Sequence, residues 1–328
     1  MLFSIIVPVY NVEHCLGKCV DSLLPLLGED CELVFVIGAS TDRSNEIVYN
    51  YAHQNQAASV VLQGGTGLSN ARNCGVQSSS GAFLLYIDSD DMVDTASLAM
   101  LMEHIRSDPA QADVYMSDYV QLFPSGERRA VCQVDDTPMD AGLSALPAVL
   151  REKKCFWNVW RYVYRRSFLE KNHICFLENR TSEDIDYTTR VFIERPRIVF
   201  WHKPYYIYRM GRANSLMNVV SLKRVQDVTA VIESSIALLD KHEGFPYAAL
   251  LQEQFRFEYL LNIALIGEVG QQERSAALDA FRRWKAVLQP ARYIITKAFY
   301  RLMCIFGLPV GASVLLLAKR VKRKVIRR

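Results

Sequence analysis

Short runs of apolar residues alternate with amphipathic stretches along the first part of the chain. Apolar runs closed by Gly, Ser or Asp are typical of buried strands, whereas apolar positions three and four apart are typical of helices. The pattern predicts strands at 3–11, 32–38, 59–63 and 82–88 and helices at 12–27, 44–54 and 69–79. Strand–helix units of about thirty residues favour an α/β fold, with a mostly parallel sheet flanked by helices.

The pattern is less regular after residue 96. Pro25 is expected to bend or end the first helix, and Ser44 and Ser182 to cap later ones. The remaining predicted elements are a helix at 97–107, a strand at 112–123, a hairpin or mobile loop within 121–145, a helix at 182–194 and helices almost throughout 221–288.

Four acids, Asp88, Asp90, Asp91 and Asp94, occur at and directly after the end of the predicted strand at 82–88. Asp88 and Asp90 alternate along the chain, so an extended backbone places them on one side, where two carboxylates repel each other unless a cation lies between them. Mg²⁺ and Mn²⁺ bind such oxygen ligands and complete their shell with substrate phosphates. The alternative is a solvated acidic turn, but the carboxyl end of a sheet strand is where ligands commonly bind.

Four motifs occur in the order and at the spacing of family-2 glycosyltransferases: "FSIIVPVYN", "GLSNARNCG", "GAFLLYIDSDD" and "SED". The resemblance is closest across residues 1–96 and extends to residue 215. It implies a GT-A fold and transfer of one sugar, with inversion, from a nucleotide-diphosphate donor. It also implies a donor-binding half (1–96) and an acceptor-binding half (97–215). Beyond the resemblance, the residue pattern predicts a helical extension (216–290) and a basic, amphipathic tail (291–328).

The resemblance also assigns roles to individual residues of the donor site. Pro8 and Tyr10 would line the nucleobase pocket and Arg72 would lie near the nucleotide. Asp88 would face ribose or phosphate and Asp90 would hold Mn²⁺ or Mg²⁺, with Asp88 as a second metal ligand. A divalent cation in that position would neutralise the leaving nucleoside diphosphate.

The base that takes the acceptor proton would be Asp184, with Glu183 beside it, because the family uses an "ED" pair for this step. Asp186 is a rival, and acids in the first turn of a helix also occur simply because they favour its dipole. The aromatic residues Trp157, Trp160 and Tyr162 would shape the acceptor pocket, or they pack against the sheet.

Two further expectations concern the phosphates and the base. Arg209 and Arg212 are candidates to touch the diphosphate, although loop arginines are more often solvated. In "LVFVIGASTDRS" the family usually has two adjacent acids, the second of which contacts the nucleobase, where this chain has Ile37 and Gly38. Gly38 would offer only backbone groups to the base.

Charge separates the last part of the chain from the rest. The net charge of the whole chain is +3. Residues 280–328 contain thirteen Lys and Arg and no acidic residue, and without them the net charge is −10. An uncharged stretch at 302–318 precedes seven basic residues in the last ten. Gly and Pro interrupt it, which favours an interfacial segment on an anionic membrane over a full span, and its interleaved apolar residues favour lipid over nucleic acid.

These observations predict a cytoplasmic glycosyltransferase, peripheral on the inner face of the cell membrane, that extends a glycan or lipid-linked glycan for a surface polysaccharide. The eight scattered cysteines indicate neither a zinc site nor a disulfide framework. One alternative is a catalytically silent relative that binds glycan or scaffolds a membrane assembly. A nucleotidyltransferase is less favoured, because no Gly-rich phosphate loop with Arg or Lys follows the first strand.

Overall fold

The computed structural model describes residues 1–108, 111–131, 137–150, 157–211, 220–242, 244–289 and 291–326. The chain divides into two units. The first comprises Met1–Asn179 and Tyr187–Arg212, and the second comprises Arg180–Asp186 and Ala213–Arg328. These units are coarser than the four segments predicted from the sequence, and that finer division remains a prediction.

The described part of the first unit contains one sheet of nine strands. In chain order these are β1 (Phe3–Val9), β2 (Cys31–Ile37), β3 (Ala58–Leu62), β4 (Phe83–Tyr86), β5 (Met92–Val93), β6 (Val114–Leu122), β7 (Arg128–Val131), β8 (Tyr162–Arg165) and β9 (Ile198–Arg209). Their order across the sheet is β3-β2-β1-β4-β8-β6-β9-β5, and β7 pairs with β6. The predicted α/β class is confirmed.

The sheet predicted to be mostly parallel is mixed, with both parallel and antiparallel pairs. β3, β2, β1 and β4 run parallel, whereas β8 is antiparallel to both β4 and β6, and β5 is antiparallel to β9. β9 returns parallel to β6, with an irregularity between Ser117 and Tyr119. Apolar runs reveal strands but not their direction, which depends on the connections between them.

Among the described residues, seven α-helices belong wholly or partly to the first unit. They are α1 (Glu13–Leu23), α2 (Ser44–Gln54), α3 (Gly67–Gln77), α4 (Thr95–Ser107), α5 (Leu146–Leu150), α6 (Arg166–Lys171) and α7 (Glu183–Ile193), the last of which begins in the second unit. α1 ends where predicted, because Pro25 lies in a 3₁₀ turn at Leu24–Leu26. α3 packs closely on β1: a Cβ atom on Gly75 would lie 2.3 Å from Ile6 Cγ2, so only glycine fits there.

The core of the first unit forms where helices cover the sheet. Every residue of β1 and β4 is buried. α1 adds four buried apolar side chains at helical spacing, Leu16, Cys19, Val20 and Leu23. Burial of such side chains is the main favourable term in folding, and it fixes the strand ends from which the polar loops emerge.

The described part of the second unit is helical. It contains α8 (Leu222–Lys241), α9 (Ala248–Ile263), α10 (Arg274–Ala280), α11 (Trp284–Leu288), α12 (Ile294–Phe306) and α13 (Leu308–Ile326). This agrees with the helical pattern predicted for 221–288. Among the helices of the described residues, none combines the length and apolar character needed to cross a membrane.

Candidate functional site

The loops after β1 and β2 are joined at the carboxyl edge of the sheet. Asn11, which has a positive φ of 52°, lies directly after β1. Its N–H donates to Ser40 Oγ at 3.2 Å, and its Oδ1 accepts from the N–H of Thr41 at 2.8 Å. Neighbouring parallel strands end at the same edge, and these hydrogen bonds hold the two loops in register there.

Ser44 strengthens this link instead of capping α2. Arg43 occupies the N-cap position, and Ser44 Oγ accepts from the N–H of Val12 at 2.8 Å, so the predicted cap is wrong. Asp42 holds the same junction, because its Oδ2 accepts from the N–H of Glu13 at 3.0 Å. Desolvation raises the pKa of Asp42, but hydrogen bonds from Ser44 and from backbone N–H groups outweigh it and leave the pKa lowered.

The backbone groups of Gly38 are already used within the fold. Its N–H donates to Val9 O at 3.1 Å, and its carbonyl oxygen accepts from the N–H of Ser40 at 2.9 Å and from Asn45 Nδ2 at 3.1 Å. A carbonyl has two lone pairs, and both are taken. The expectation that Gly38 offers backbone groups to a nucleobase is therefore corrected.

Gly38 instead contributes space next to Tyr10. A Cβ atom at position 38 would lie 3.3 Å from Tyr10 Cδ2 and 3.2 Å from Gln63 Oε1. The Tyr10 side chain is 60% exposed, so its ring can reach a planar ligand. Pro8 is buried in β1, where it is paired in register with Val36. Of the two residues predicted to line the base pocket, Tyr10 is the accessible one.

Three carboxylates gather directly after β4. Asp88, Asp90 and Asp91 each offer an oxygen atom within 4.8 Å of the others, and the turn is closed by a hydrogen bond from the Asp91 N–H to Asp88 O at 3.0 Å. Oxygen-only ligand sets suit hard divalent cations. The residues present therefore fit the Mn²⁺ or Mg²⁺ that the sequence predicts. Asp94, the fourth acid, instead caps α4 by accepting from the N–H of Ser97 at 2.9 Å.

Both oxygens of Asp91 are held by β9. Oδ2 accepts from Tyr206 Oη at 2.8 Å and Oδ1 accepts from the N–H of Arg209 at 2.7 Å. Burial, followed by the charge of Asp88, raises the pKa of Asp91 to about 8, against these hydrogen bonds. Asp91 thus ties the turn to β9, and the assignment of Asp88 and Asp90 as cation ligands remains a prediction.

Arg209 contributes to the same turn. Its Nε donates to the carbonyl oxygen of Asp90 at 2.6 Å, so its observed contact is with the acidic turn. A direct contact with a diphosphate remains a prediction. Arg212, the other candidate, lies outside the described residues.

Arg72 is buried beneath the cluster. Its side chain is 1% exposed, and its Nη2 donates to Asp88 Oδ1 at 3.0 Å. The guanidinium also lies over the ring of Phe176, 5.1 Å from its centroid. A buried guanidinium requires a counter-charge, which Asp88 supplies. Asp88 thus lies between Arg72 and any ligand that the carboxylates would bind. The contact that the structure shows for Arg72 at this turn is with Asp88, and its place near the nucleotide remains a prediction.

The three aromatic residues expected at the acceptor pocket are buried. Trp157, Trp160 and Tyr162 are 6%, 3% and 1% exposed. The ring of Trp160 stacks on Tyr206, with centroids 4.0 Å apart, and meets Tyr119 edge-on at 4.9 Å. These placements match the packing alternative, because a ring enclosed by neighbours has no face left for a sugar. Trp160 supports the acidic turn through Tyr206.

Tyr206 is the residue that the sequence reasoning missed. Besides its bond to Asp91, its hydroxyl oxygen accepts from the N–H of Asp88 at 3.4 Å. The aromatic strand "YYIYR" is visible in the sequence. Its register, with Val93 opposite Tyr206, depends on a pairing of β5 with β9 that is distant in sequence.

The proposed base lies in the first turn of α7. Glu183, Asp184 and Asp186 all occur there and are part of the second unit. Glu183 and Asp186 are 8% and 7% exposed, whereas Asp184 is more accessible. Accessibility favours Asp184 over its two neighbours as the group that meets an acceptor. Its catalytic role remains a prediction.

Two proteins that are named as glycosyltransferases are similar in sequence to this chain. EpsJ of Bacillus subtilis, named an uncharacterized glycosyltransferase, is 32% identical over 223 residues, which cover 66% of this chain and 63% of EpsJ. TarS of Staphylococcus aureus, named a poly(ribitol-phosphate) β-N-acetylglucosaminyltransferase, is 26% identical over 269 residues, which cover 78% of this chain and 45% of TarS. The chain therefore spans less than two thirds of the length of either relative.

Solved structures share the fold. TarS 1–349 in complex with UDP-GlcNAc superposes with a TM-score of 0.72 at 20% identity, covering 98% of this chain and 92% of that one. The mannosyltransferase PcManGT of Pyrobaculum calidifontis, in complex with GDP-Man and Mn²⁺, gives a TM-score of 0.54 at 17% identity, covering 96% and 86%. These likenesses confirm the GT-A-like α/β fold with its helical extension.

The family follows from a match that spans more than half of the chain. The model of glycosyl transferase family 2 matches residues 4–175. That range contains all of β1 but its first residue, the joined loops after β1 and β2, Arg72 and the three-carboxylate turn. The chain belongs to glycosyl transferase family 2.

Proposed function

We propose that this chain transfers a single sugar, with inversion, from a nucleotide-diphosphate donor to a glycan or lipid-linked glycan of a surface polysaccharide. The observation that carries the proposal is the carboxylate turn after β4, within a family-2 chain. Same-fold neighbours with UDP-GlcNAc, or with GDP-Man and Mn²⁺, support such a donor. The poly(ribitol-phosphate) acceptor in the name of TarS supports a surface polymer.

Asp88 and Asp90 would hold the cation. Both oxygens of Asp91 already accept hydrogen bonds, whereas Asp88 is 24% exposed and accepts one bond from Arg72. Mn²⁺ or Mg²⁺, when bound, supplies positive charge to the diphosphate leaving group. The Arg72 guanidinium holds the Asp88 side chain and the Arg209 bond to Asp90 O holds the Asp90 backbone beforehand, which is the preorganisation that a charged site needs.

The nucleobase would stack on Tyr10. Its ring is exposed at the edge where the loops after β1 and β2 are joined. Neither Ile37, the last residue of β2, nor Gly38 after it is an acid, and the backbone groups of Gly38 already make hydrogen bonds within the fold. Recognition would therefore depend more on stacking than on hydrogen bonds to one base, which predicts a broad nucleotide preference.

Asp184 would remove the proton of the acceptor hydroxyl. Inversion needs this base on the face of the sugar opposite to the leaving diphosphate. The first turn of α7 favours the ionised carboxylate through the helix dipole. The assignment rests on the family pattern of "SED" and on the accessibility of Asp184 relative to Glu183 and Asp186.

A panel of nucleotide sugars with Mn²⁺ or Mg²⁺ tests the proposal, with release of nucleoside diphosphate as the readout. We expect one or more donors to be hydrolysed or transferred, and Asp90→Asn to abolish this. Asp94→Asn is the matched control, because Asn preserves an N-cap and Asp94 lies outside the cluster. If no donor in the panel is bound or consumed, the proposal fails.

A second candidate function is a silent relative that binds glycan or acts as a scaffold. It is favoured by the absence of acids at Ile37 and Gly38. A scaffold should be indifferent to Asp90→Ala in every nucleotide-binding assay. Loss of nucleotide binding in that variant selects the enzyme.

A further inference from the structure

The last two helices, α12 and α13, carry a concentration of exposed apolar side chains. Eight of the fifteen large exposed hydrophobic residues in the described part of the chain lie on them. They are Ile294, Ile295, Ile305, Phe306, Val310, Val314, Leu317 and Val321. Single exposed apolar residues are ordinary, but a contiguous group marks an interaction surface.

These residues form one stripe on each helix. Val310, Val314, Leu317 and Val321 of α13 follow a spacing of four, three and four, which returns to the same face of a helix. On α12, Ile294 and Ile305 are eleven residues apart, as are Ile295 and Phe306, and eleven residues make about three helical turns. We call these eight side chains the α12–α13 face.

The opposite sides of both helices are packed within the second unit. A Cβ atom on Gly311 would lie 2.2 Å from Met303 Cγ, so α13 fits tightly against α12. A Cβ atom on Gly267 would lie 2.6 Å from Leu316 Cδ2. The α12–α13 face is therefore the side that stays exposed although both helices are packed on their other sides.

Lys319 lies on the packed side of α13. Its Nζ lies 2.8 Å from Glu268 Oε1. This ion pair joins one basic residue of α13 to another part of the second unit. Exposed Lys297, Arg301 and Arg320 lie on the described parts of α12 and α13 and could meet an external anion.

The charge of this segment indicates which partner fits. Residues 280–328 contain thirteen Lys and Arg and no acid. A second copy would bring the same positive charge against itself, and a nucleic acid would use the charges but not the apolar stripe. Leu317 and Arg320 also line a cavity of about 440 Å³ whose wall includes Arg274, so apolar and guanidinium groups meet there.

We propose that the α12–α13 face docks on an anionic lipid bilayer. Its apolar stripe would enter the boundary between headgroups and acyl chains while the flanking Lys and Arg contact lipid phosphates, as amphipathic basic helices do. The surface lies outside the residues proposed for sugar transfer, so it stands or falls independently of that proposal.

Vesicle sedimentation with the full chain tests the docking surface. We expect binding to phosphatidylcholine vesicles that contain phosphatidylglycerol, and little binding to phosphatidylcholine alone. Leu317→Asp should reduce the affinity about tenfold, because it replaces an inserted apolar side chain with an anion. Leu261→Asp is the matched control: Leu261 is 44% exposed, lies on α9 and is not part of the face. It should leave binding unchanged.

Cys304 and Cys175, both exposed, provide a second measurement that leaves the α12–α13 face unchanged. Cys304 lies on α12, next to the stripe, and Cys175 lies in the first unit. With Cys132, Cys155 and Cys175 replaced by serine, a fluorophore on Cys304 should be quenched by spin-labelled acyl chains. With Cys132, Cys155 and Cys304 replaced by serine, a fluorophore on Cys175 should not be quenched.

Three results would overturn the proposal. They are absence of binding to anionic vesicles, equal loss with Leu261→Asp, and a change of oligomeric state in place of a change in vesicle binding for Leu317→Asp. Nucleotide-induced thermal shifts on the same variants separate this proposal from the proposed transfer activity. Leu317→Asp should leave those shifts at the wild-type value.

Discussion

Arg72 and Asp88 form an ion pair with Nη2 and Oδ1 3.0 Å apart, in which the arginine is buried and the aspartate is partly exposed. The positive charge therefore lies on the inner side of the carboxylate turn. The open side of Asp88 remains available for a cation. The Asp88 carboxylate therefore has the Arg72 guanidinium on its buried side and room for a metal ion on its exposed side.

Replacing Arg72 with methionine should destabilise the protein and make its stability sensitive to Mn²⁺. Loss of one partner of a buried pair leaves a charge uncompensated, and because Asp88 is partly solvated we expect a cost of about 2 kcal/mol. Bound Mn²⁺ would neutralise the abandoned carboxylate and recover part of that cost. Chemical denaturation with and without Mn²⁺ measures the difference.

Arg166→Met is the control for this experiment. The Arg166 guanidinium donates to Gly81 O, Val76 O and Ser79 Oγ, away from the acidic turn. Its loss should also destabilise the protein, but Mn²⁺ should not offset that loss. An equal Mn²⁺ response in both variants would argue against Asp88 as a cation ligand.

Gly38→Asp should tighten binding of uridine nucleotides relative to other bases. A carboxylate at this position would lie beside Tyr10 and could accept from a uracil N–H, a charge-assisted bond. We expect about a tenfold change in affinity, equivalent to about 1.4 kcal/mol. The Tyr10 ring and the Gln63 side chain must shift slightly to admit the new atoms.

Gly38→Ala separates the carboxylate from mere bulk. Its methyl group meets the same two neighbours, but it cannot accept a hydrogen bond. Calorimetry of both variants with UDP and GDP should show altered base preference for aspartate only. Identical behaviour of the two variants would contradict the placement of Gly38 at the base.

Asp184→Asn should abolish transfer while leaving donor binding intact. A general base typically contributes a factor of about 10² to 10⁴ in rate, and the amide cannot take a proton. Glu183→Gln and Asp186→Asn should retain more activity, because those side chains are the more buried ones. If Asp186→Asn is the inactive variant, the base has been assigned to the wrong carboxylate.

Glu258, on α9, should make the free energy of unfolding depend on pH. Burial raises the pKa of its carboxyl group to about 7, so the folded protein binds a proton that the unfolded chain has lost. Stability from this group is present below its ordinary pKa and is lost as pH rises to about 7. Glu258→Gln should therefore stabilise the protein at pH 8, by about 1 to 2 kcal/mol. No gain at pH 8, measured by denaturation across pH 5 to 8, would refute this.

The parts of the fold that depend on local pattern were predicted well. The strands β1 to β4 and the helices α1 to α3 occur where apolar runs and helical spacing indicate them. Pairing across the other half of the sheet was not predictable, because β8, β6 and β9 meet through contacts distant in sequence.

The candidate site shows the same limit. Asp88 and Asp90 were identified because they directly follow one strand. The burial of Arg72 follows from the close packing of α3 on β1 at Gly75, and the enclosure of Trp160 follows from its stacking on Tyr206. An aromatic or arginine residue looks the same in a sequence whether it faces a ligand or a neighbour.

Titration calorimetry of a nucleotide-diphosphate sugar, with and without Mn²⁺, tests the central claim most directly. The wild-type protein and Asp94→Asn should bind donor in a Mn²⁺-dependent manner, whereas Asp90→Asn should lose the Mn²⁺-dependent part. Loss of about tenfold or more corresponds to at least about 1.4 kcal/mol. Mn²⁺-independent binding in all three proteins, or equal Mn²⁺ dependence in Asp90→Asn, would contradict the assignment of Asp88 and Asp90 to a catalytic cation.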